Sequence, residues 1–260
     1  MIEKLLVVPD SHSHPDYDGK RFVALSKLIM AERPDCIVCL GDFWDMHSLS
    51  VYDVGKTTAE GRRYQEDVAV GNLHMGFLVE GIRSHNKEQA DKRKKQYKPR
   101  MEFLMGNHEY RIKRAANEAP HLYGKLSYND LYLDDWNVTP FKVPLHIEGI
   151  SFCHYFPSGG MGRPISGENH AKSLLKKLYT SCVVGHSHLL DFAQQTKATG
   201  EKMFALVAGC YGHLDHDEGW STGTDQMWWN GITILHGVEN GHFRELQFIS
   251  QERIEAKYEV

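Results

Sequence analysis

A chain of 260 residues with 41% hydrophobic content can bury one sizeable core, and no linker-like stretch favours two small ones, so a single domain over 1–260 is expected. A formal net charge of -4 and a pI near 6.5 exclude binding of nucleic acid by overall polyelectrolyte attraction and leave only a local cationic cleft. No apolar run approaches membrane-spanning length. Five cysteines, in a chain opening MIEKLL with no apolar signal region, point to free thiols in a reducing cytoplasm.

In chain order, the patterning predicts a strand over 3–9, a helix over about 20–32 and a strand over 36–40. Cys36 and Cys39 make a C-x-x-C inside that apolar strand. With no second pair at zinc-site spacing, they read as core packing. A helical, partly basic insertion follows over about 46–100. Tyr64, Val68, Met75, Leu78 and Ile82 fall on one helical face, and then Lys87, Lys92, Arg93, Lys94, Lys95, Lys98 and Arg100 outnumber Glu88 and Asp91. A solvated face is the plain reading of that charge run; a substrate arm for nucleic acid is the sharper one.

Next come a strand over 101–105, a helix over 108–118 and an irregular segment through Trp136. Strands are expected at about 138–143, 145–148 and 150–154, and a helix near 167–179 leads into SCVVG. LLDFAQQT, KMFALVAG, GITILHGV and HFRELQFIS close the chain as hairpin strands. Strands alternating with helices and then hairpins define an α/β protein with a mixed sheet system. The stretch WSTGTDQMWWNG, residues 220–231, carries three tryptophans suited either to base stacking or to plugging a sheet edge.

Polar residues gather where strands stop. Asp10 and His12 follow LLVV, Asp42 and Asp45 follow CIVCL, Asn107 and His108 follow EFLM, His154 follows ISFC, and His186 and His188 follow SCVVG. In open α/β sheets the ligand site lies beyond the carboxyl ends of the strands, so these side chains are expected to converge. The opening run DSHSH alone fits two answers. Barrels of the amidohydrolase or PHP type place His-x-His after the first strand, whereas calcineurin-like enzymes place Asp-x-His there.

The five blocks DSH, GDFWD, GNHE, the lone His154 and GHSH, in this order over residues 10–188, resemble the calcineurin-like metallophosphoesterase superfamily. The resemblance implies a four-layer αββα sandwich of two mixed sheets flanked by helices, with two divalent ions at one end. Mn²⁺ is the foremost candidate, and Fe, Zn²⁺ or Ni²⁺ suit the same donors. It assigns Asp10, His12 and His188 to one ion, Asn107, His154 and His186 to the other, and Asp42 as the bridge. His108 becomes the group facing the substrate as general acid, oriented by Asp45. Such an ion pair offsets phosphate charge and activates water.

His14, His47 and Arg111 have no slot in that pattern, and their nearness to ligands makes them candidate substrate contacts. Protein phosphatases carry an arginine directly after the second acid of Gly-Asp-x-x-Asp; here the residue is Met46. Together with GHSH, this favours a phosphodiesterase or nuclease acting on a nucleotide or nucleic-acid ester. The alternatives are a phosphomonoesterase and a non-catalytic scaffold of the same fold.

Overall fold

The structure, a computed structural model, describes residues 1–214 and 225–259. Its elements run β1 (Ile2–Val8), α1 (Lys20–Glu32), β2 (Cys36–Cys39), α2 (Tyr64–Asp91), β3 (Arg100–Leu104), α3 (Asn107–Glu118), β4 (Asn137–Thr139), β5 (Leu145–Ile147) and β6 (Ile150–Cys153). A short hairpin, β7 (Pro157–Ser158) with β8 (Arg163–Pro164), precedes α4 (His170–Leu178) and β9 (Cys182–Val184). Then follow β10 (Leu190–Thr196), β11 (Lys202–Ala208), β12 (Gly231–Val238), β13 (Glu245–Ser250) and α5 (Gln251–Tyr258).

One six-stranded sheet has the order β13-β12-β1-β2-β3-β4, and a five-stranded sheet has the order β10-β11-β9-β6-β5. Within them β1 to β4 are mutually parallel, as are β6, β9 and β11, while β12, β13, β10 and β5 pair antiparallel. Side chains alternate across each strand, so every central strand feeds two cores. Leu5 and Val7 of β1 join Val38, Phe152, Val183 and Phe204 between the sheets. Leu6 and Val8 face outward with Ile37, onto Phe22, Leu25 and Ile29 of α1 and Met75 and Leu78 of α2. On the far side Cys182, Val184, Ala205 and Val207 bury Leu174 and Leu175 of α4. Three apolar layers therefore separate four structural layers, helix, sheet, sheet, helix, as the motif resemblance implies.

Several boundaries differ from the sequence reading. β4 stops at Thr139 because Pro140 offers no N–H to a neighbour and begins a turn, so the strand expected to 143 is short. α4 starts at His170, three residues after Gly167 at φ 116°. The hairpin β7–β8 and the helix α5 were not legible as elements. α5 is capped by Ser250, whose hydroxyl accepts from Arg253 N, and it buries only Gln251 and Ile254. All five cysteines are free and buried, Cys36 and Cys39 on opposite faces of β2.

The basic run lies away from the ligand end. Lys94, Lys95 and Lys98 line a cavity of about 570 Å³ with Asp35, Gln96 and Tyr97, just before the amino ends of β2 and β3. β3 alone puts about 16 Å between that surface and the carboxyl ends of the strands. These lysines thus lie at the opposite end of the strands from the ligand-type residues.

Candidate metal centre

The turns leaving β1, β2, β3, β6 and β9 bring the ligand-type residues together because these strands end on the same side of the two sheets. His154, after β6, reaches across to the other sheet, with Nδ1 3.0 Å from the Leu40 carbonyl after β2. Two close approaches depend on glycine: a Cβ on Gly106 would lie 2.0 Å from Asp42 Oδ1, and one on Gly185 would lie 2.1 Å from Asp10 Oδ1. The glycine that opens one motif block thus makes room for the acid of another.

The backbone is strained at the same place. His12, Asp42, His186 and His188 all have left-handed φ values, 43°, 49°, 69° and 59°. Such conformations cost about 1–3 kcal/mol each in non-glycine residues and persist where surrounding contacts dictate them. The contacts are visible. Ser11 N and His12 N donate to the Asp42 carbonyl at 3.1 and 2.9 Å, and the buried Arg21 Nη2 donates to the Ser11 and His12 carbonyls at 2.9 and 3.2 Å. Glu109, fully buried, accepts from Asp42 N (2.9 Å), Phe43 N (2.7 Å), Trp44 N (3.0 Å) and Gly106 N (2.8 Å). It therefore ties the GDFWD turn to the GNHE turn.

Within this frame, one ligating atom each of Asp10, His12 and His188 lies within 4.8 Å of the others, and the same holds for Asp42, His154 and His186. Asp42 also groups with His12 and His108, which places it between the two clusters. Asn107 Oδ1 and Asp42 Oδ2 are 2.8 and 3.2 Å from His154 Nε2. His12 Nε2 is 3.1 Å from His188 Nε2, which is 3.4 Å from Asp10 Oδ2. With His12 Nδ1 held by Asp45 Oδ1 at 3.0 Å, two imidazole nitrogens face each other beside carboxylate oxygens. Asp10 Oδ1 is buried with no hydrogen-bond partner among the described residues. Converging imidazole and carboxylate groups of this kind could hold a cation.

The electrostatics agree. Burial pushes Asp10, Asp42 and Asp45 up, yet neighbouring histidines outweigh it: His154 and His188 hold Asp10 below the usual carboxylate range, while His154 and His108 hold Asp42, and His108 and His12 hold Asp45, well below it. Burial lowers His154, but Asp42 and Asp10 raise it to about 9. His186 is pushed down to about 4, first by burial and then by His154. Three ionised carboxylates thus demand positive charge from their surroundings, which protonated imidazole supplies in the protein alone and a divalent ion would supply in its place.

Beside these clusters, Asp45 Oδ1 is shared: His108 Nδ1 lies 2.9 Å from it and His12 Nδ1 3.0 Å. His108 Nε2 accepts from Arg111 Nη2 at 3.0 Å, and Arg111 Nη1 donates to the carbonyls of Asp45 and Met46 at 3.0 and 3.2 Å. Arg111 therefore braces the GDFWD turn and His108 together. Met46 is wholly buried, its side chain packed in the helix-side core. His14 and His47 lie at the rim with ring centroids 4.2 Å apart and planes tilted by 40°.

Trp228 stands edge-on to His188 at 4.4 Å, whereas Trp229 packs on Phe248 at the sheet edge; Trp220 lies outside the described residues. Three supporting residues escaped sequence reasoning. Glu109 was visible as the acid at the third position of α3, where its carboxylate can reach back to the N-cap N–H of Gly106. Arg21 and His74, whose Nδ1 is 2.6 Å from Ser13 Oγ, gave no signal beyond being polar residues on apolar helix faces.

No protein-family model matches the chain, and no curated protein matches it. Solved structures do. A conserved protein of Streptococcus pneumoniae TIGR4, described as a predicted phosphoesterase, is similar over 97% of this chain and 91% of its own, at 12% identity and a TM-score of 0.38. Yfce, a phosphoesterase from E. coli, is similar over 95% of this chain and 100% of its own, at 13% identity and a TM-score of 0.35. A protein of Thermus thermophilus is similar over 96% of this chain and 100% of its own, at 12% identity and a TM-score of 0.36. At that level of likeness the function has to be argued from the side chains.

Proposed function

We propose that the chain is a phosphoesterase that hydrolyses phosphodiesters of a nucleotide or nucleic acid with two divalent ions. The observation that carries this reading is the pair of buried His/Asp clusters that meet at Asp42, with His108 beside Asp42. Asp10, His12, Asp42 and His188 would hold one ion, and Asp42, Asn107, His154 and His186 the other, with Mn²⁺ foremost. Such ions would neutralise phosphate charge and activate water. His108 is steered by Asp45 through Nδ1, and its Nε2 accepts from Arg111; to give a proton to the leaving oxygen, that nitrogen must first leave Arg111 and take up a proton from solvent, which makes the ring an imidazolium paired with Asp45. No membrane contact is part of this reading, since no helix among the described residues is long and apolar enough to cross one. The five free, buried thiols support a cytoplasmic setting.

A diester is favoured over a monoester because the monoester dianion needs one more charge contact. Met46 cannot provide it, and Arg111 already serves two backbone carbonyls and His108. With Mn²⁺ present, bis-nitrophenyl phosphate should be hydrolysed with a higher kcat/KM than nitrophenyl phosphate. The second reading, a monoesterase, has one observation in its favour: the Arg111 guanidinium lies beside His108. A monoester preference in the wild type that disappears in Arg111→Ala would establish it.

A further inference from the structure

His14, Asp45 and His47 form a group that neither the five motif blocks nor the two clusters account for, apart from Asp45's contacts to His12 and His108. One ligating atom of each lies within 4.8 Å of the others, at the rim of the site. His14 comes from the turn after β1, and Asp45 and His47 from the turn after β2, so the group spans two elements. Both contacts that Asp45 makes to His12 and His108 fall on Oδ1.

His47 carries the supporting carboxylate that metal-binding histidines usually have. Its Nδ1 is 2.5 Å from Asp67 Oδ1, close though not in the alignment of a regular hydrogen bond. Asp67, buried on α2, is itself fixed through Oδ2 by Ser48 N at 3.0 Å and Ser48 Oγ at 2.5 Å. That arrangement leaves Nε2 of His47 as its donor. His14 Nδ1 accepts from Asp16 N at 3.2 Å, so Nε2 carries the proton of the neutral ring.

We infer that His14, Asp45 and His47 bind a third divalent cation, separate from the two assigned above. Two imidazoles and a carboxylate suit Zn²⁺, Mn²⁺, Fe or Ni²⁺ over Mg²⁺ or Ca²⁺. Ligation through Nε2 needs the other neutral tautomer of His14: the ring proton moves from Nε2 to Nδ1, which gives up the contact with Asp16 N and has Asp16 Oδ2, 3.6 Å away, as an acceptor. Through Asp45 the third ion is linked to both His12 and His108, so its occupancy bears on the substrate side of the site.

The test is equilibrium dialysis of the full chain against Mn²⁺ alone, with bound metal counted by elemental analysis and folding checked by circular dichroism. Wild type should bind one equivalent more than His47→Ala. Asp67→Asn should keep that equivalent but weaken it about 10- to 100-fold, the usual effect of losing a supporting partner. The difference between wild type and His47→Ala is read whatever the main clusters hold, so it separates this inference from the two-ion reading. In Asp42→Asn the main equivalents should fall while the His47-dependent one persists. Equal metal counts in wild type and folded His47→Ala would overturn the third site and leave His14 and His47 as polar packing at the rim. An Asp67→Asn affinity identical to wild type would count against it as well.

Discussion

Asp42 concentrates more functions than any other side chain of the site. It lies between the two clusters, accepts His108 N at 2.8 Å, faces His154 Nε2 and occupies the space that Gly106 leaves open. Asp42→Asn keeps the shape and removes the anion, so bound metal should fall and turnover should drop to background; elemental analysis beside an assay on bis-nitrophenyl phosphate checks it. Full metal occupancy with normal turnover would sink the two-ion reading. His108→Ala has a different signature. Its nitrogens engage Asp45 and Arg111, so metal should be retained while the rate falls about 10²- to 10⁴-fold. A nitrophenolate leaving group, which needs little protonation, should be hurt less than an alkyl alkoxide. Equal damage to both would make His108 a positioning residue. Residue types at five strand ends announced these groups in the sequence, because ligand sites in open α/β sheets lie beyond the carboxyl ends of the strands and the five blocks occur together in order. Their backbone conformations were not legible: nothing in GHSH or DSH tells that His186, His188 and His12 are left-handed.

Elements explain why those conformations hold. Glu109 sits in the first turn of α3, yet it caps the turn after β2, and Arg21 from α1 grips the turn after β1. The motif turns are therefore locked by helices packed on the outer face of the six-stranded sheet, which rigid elements do better than loops. Gly106→Ala tests the closeness of that packing. A methyl group 2.0 Å from Asp42 Oδ1 must displace the carboxylate, costing about 1–3 kcal/mol in stability and lowering metal affinity. Thermal unfolding and a metal titration of the variant would show both; an unchanged metal titration would mean that Asp42 relocates freely. Strands and helices with strong periodicity, β1, α1, β2 and β11, could be read from sequence within a residue or two. α5 could not, since Gln251–Tyr258 buries so few side chains that its periodicity is faint, and β7–β8 is too short to have one.

At the scale of the molecule, the strand order has a kinetic meaning. β1 lies between β2, which begins at Cys36, and β12, which begins at Gly231. Every ligand-type residue from Asp10 to His188 is thus synthesised before the strand that covers the second edge of β1. Pairing so distant in sequence closes a long loop before its contacts reward it, and it makes folding slow. Refolding from denaturant should therefore pass through an intermediate in which the amides of β2 and β3 are protected from hydrogen exchange before those facing β12. Simultaneous protection of all three would contradict it. While that gap is open, Leu5, Val7 and the unpaired edge of β1 are exposed together, a template for association between chains. A nascent chain halted before Gly231 would hold all the chemistry and none of the closure, so the last hairpin acts as the latch that decides whether a complete set of ligands becomes a working centre or an aggregate.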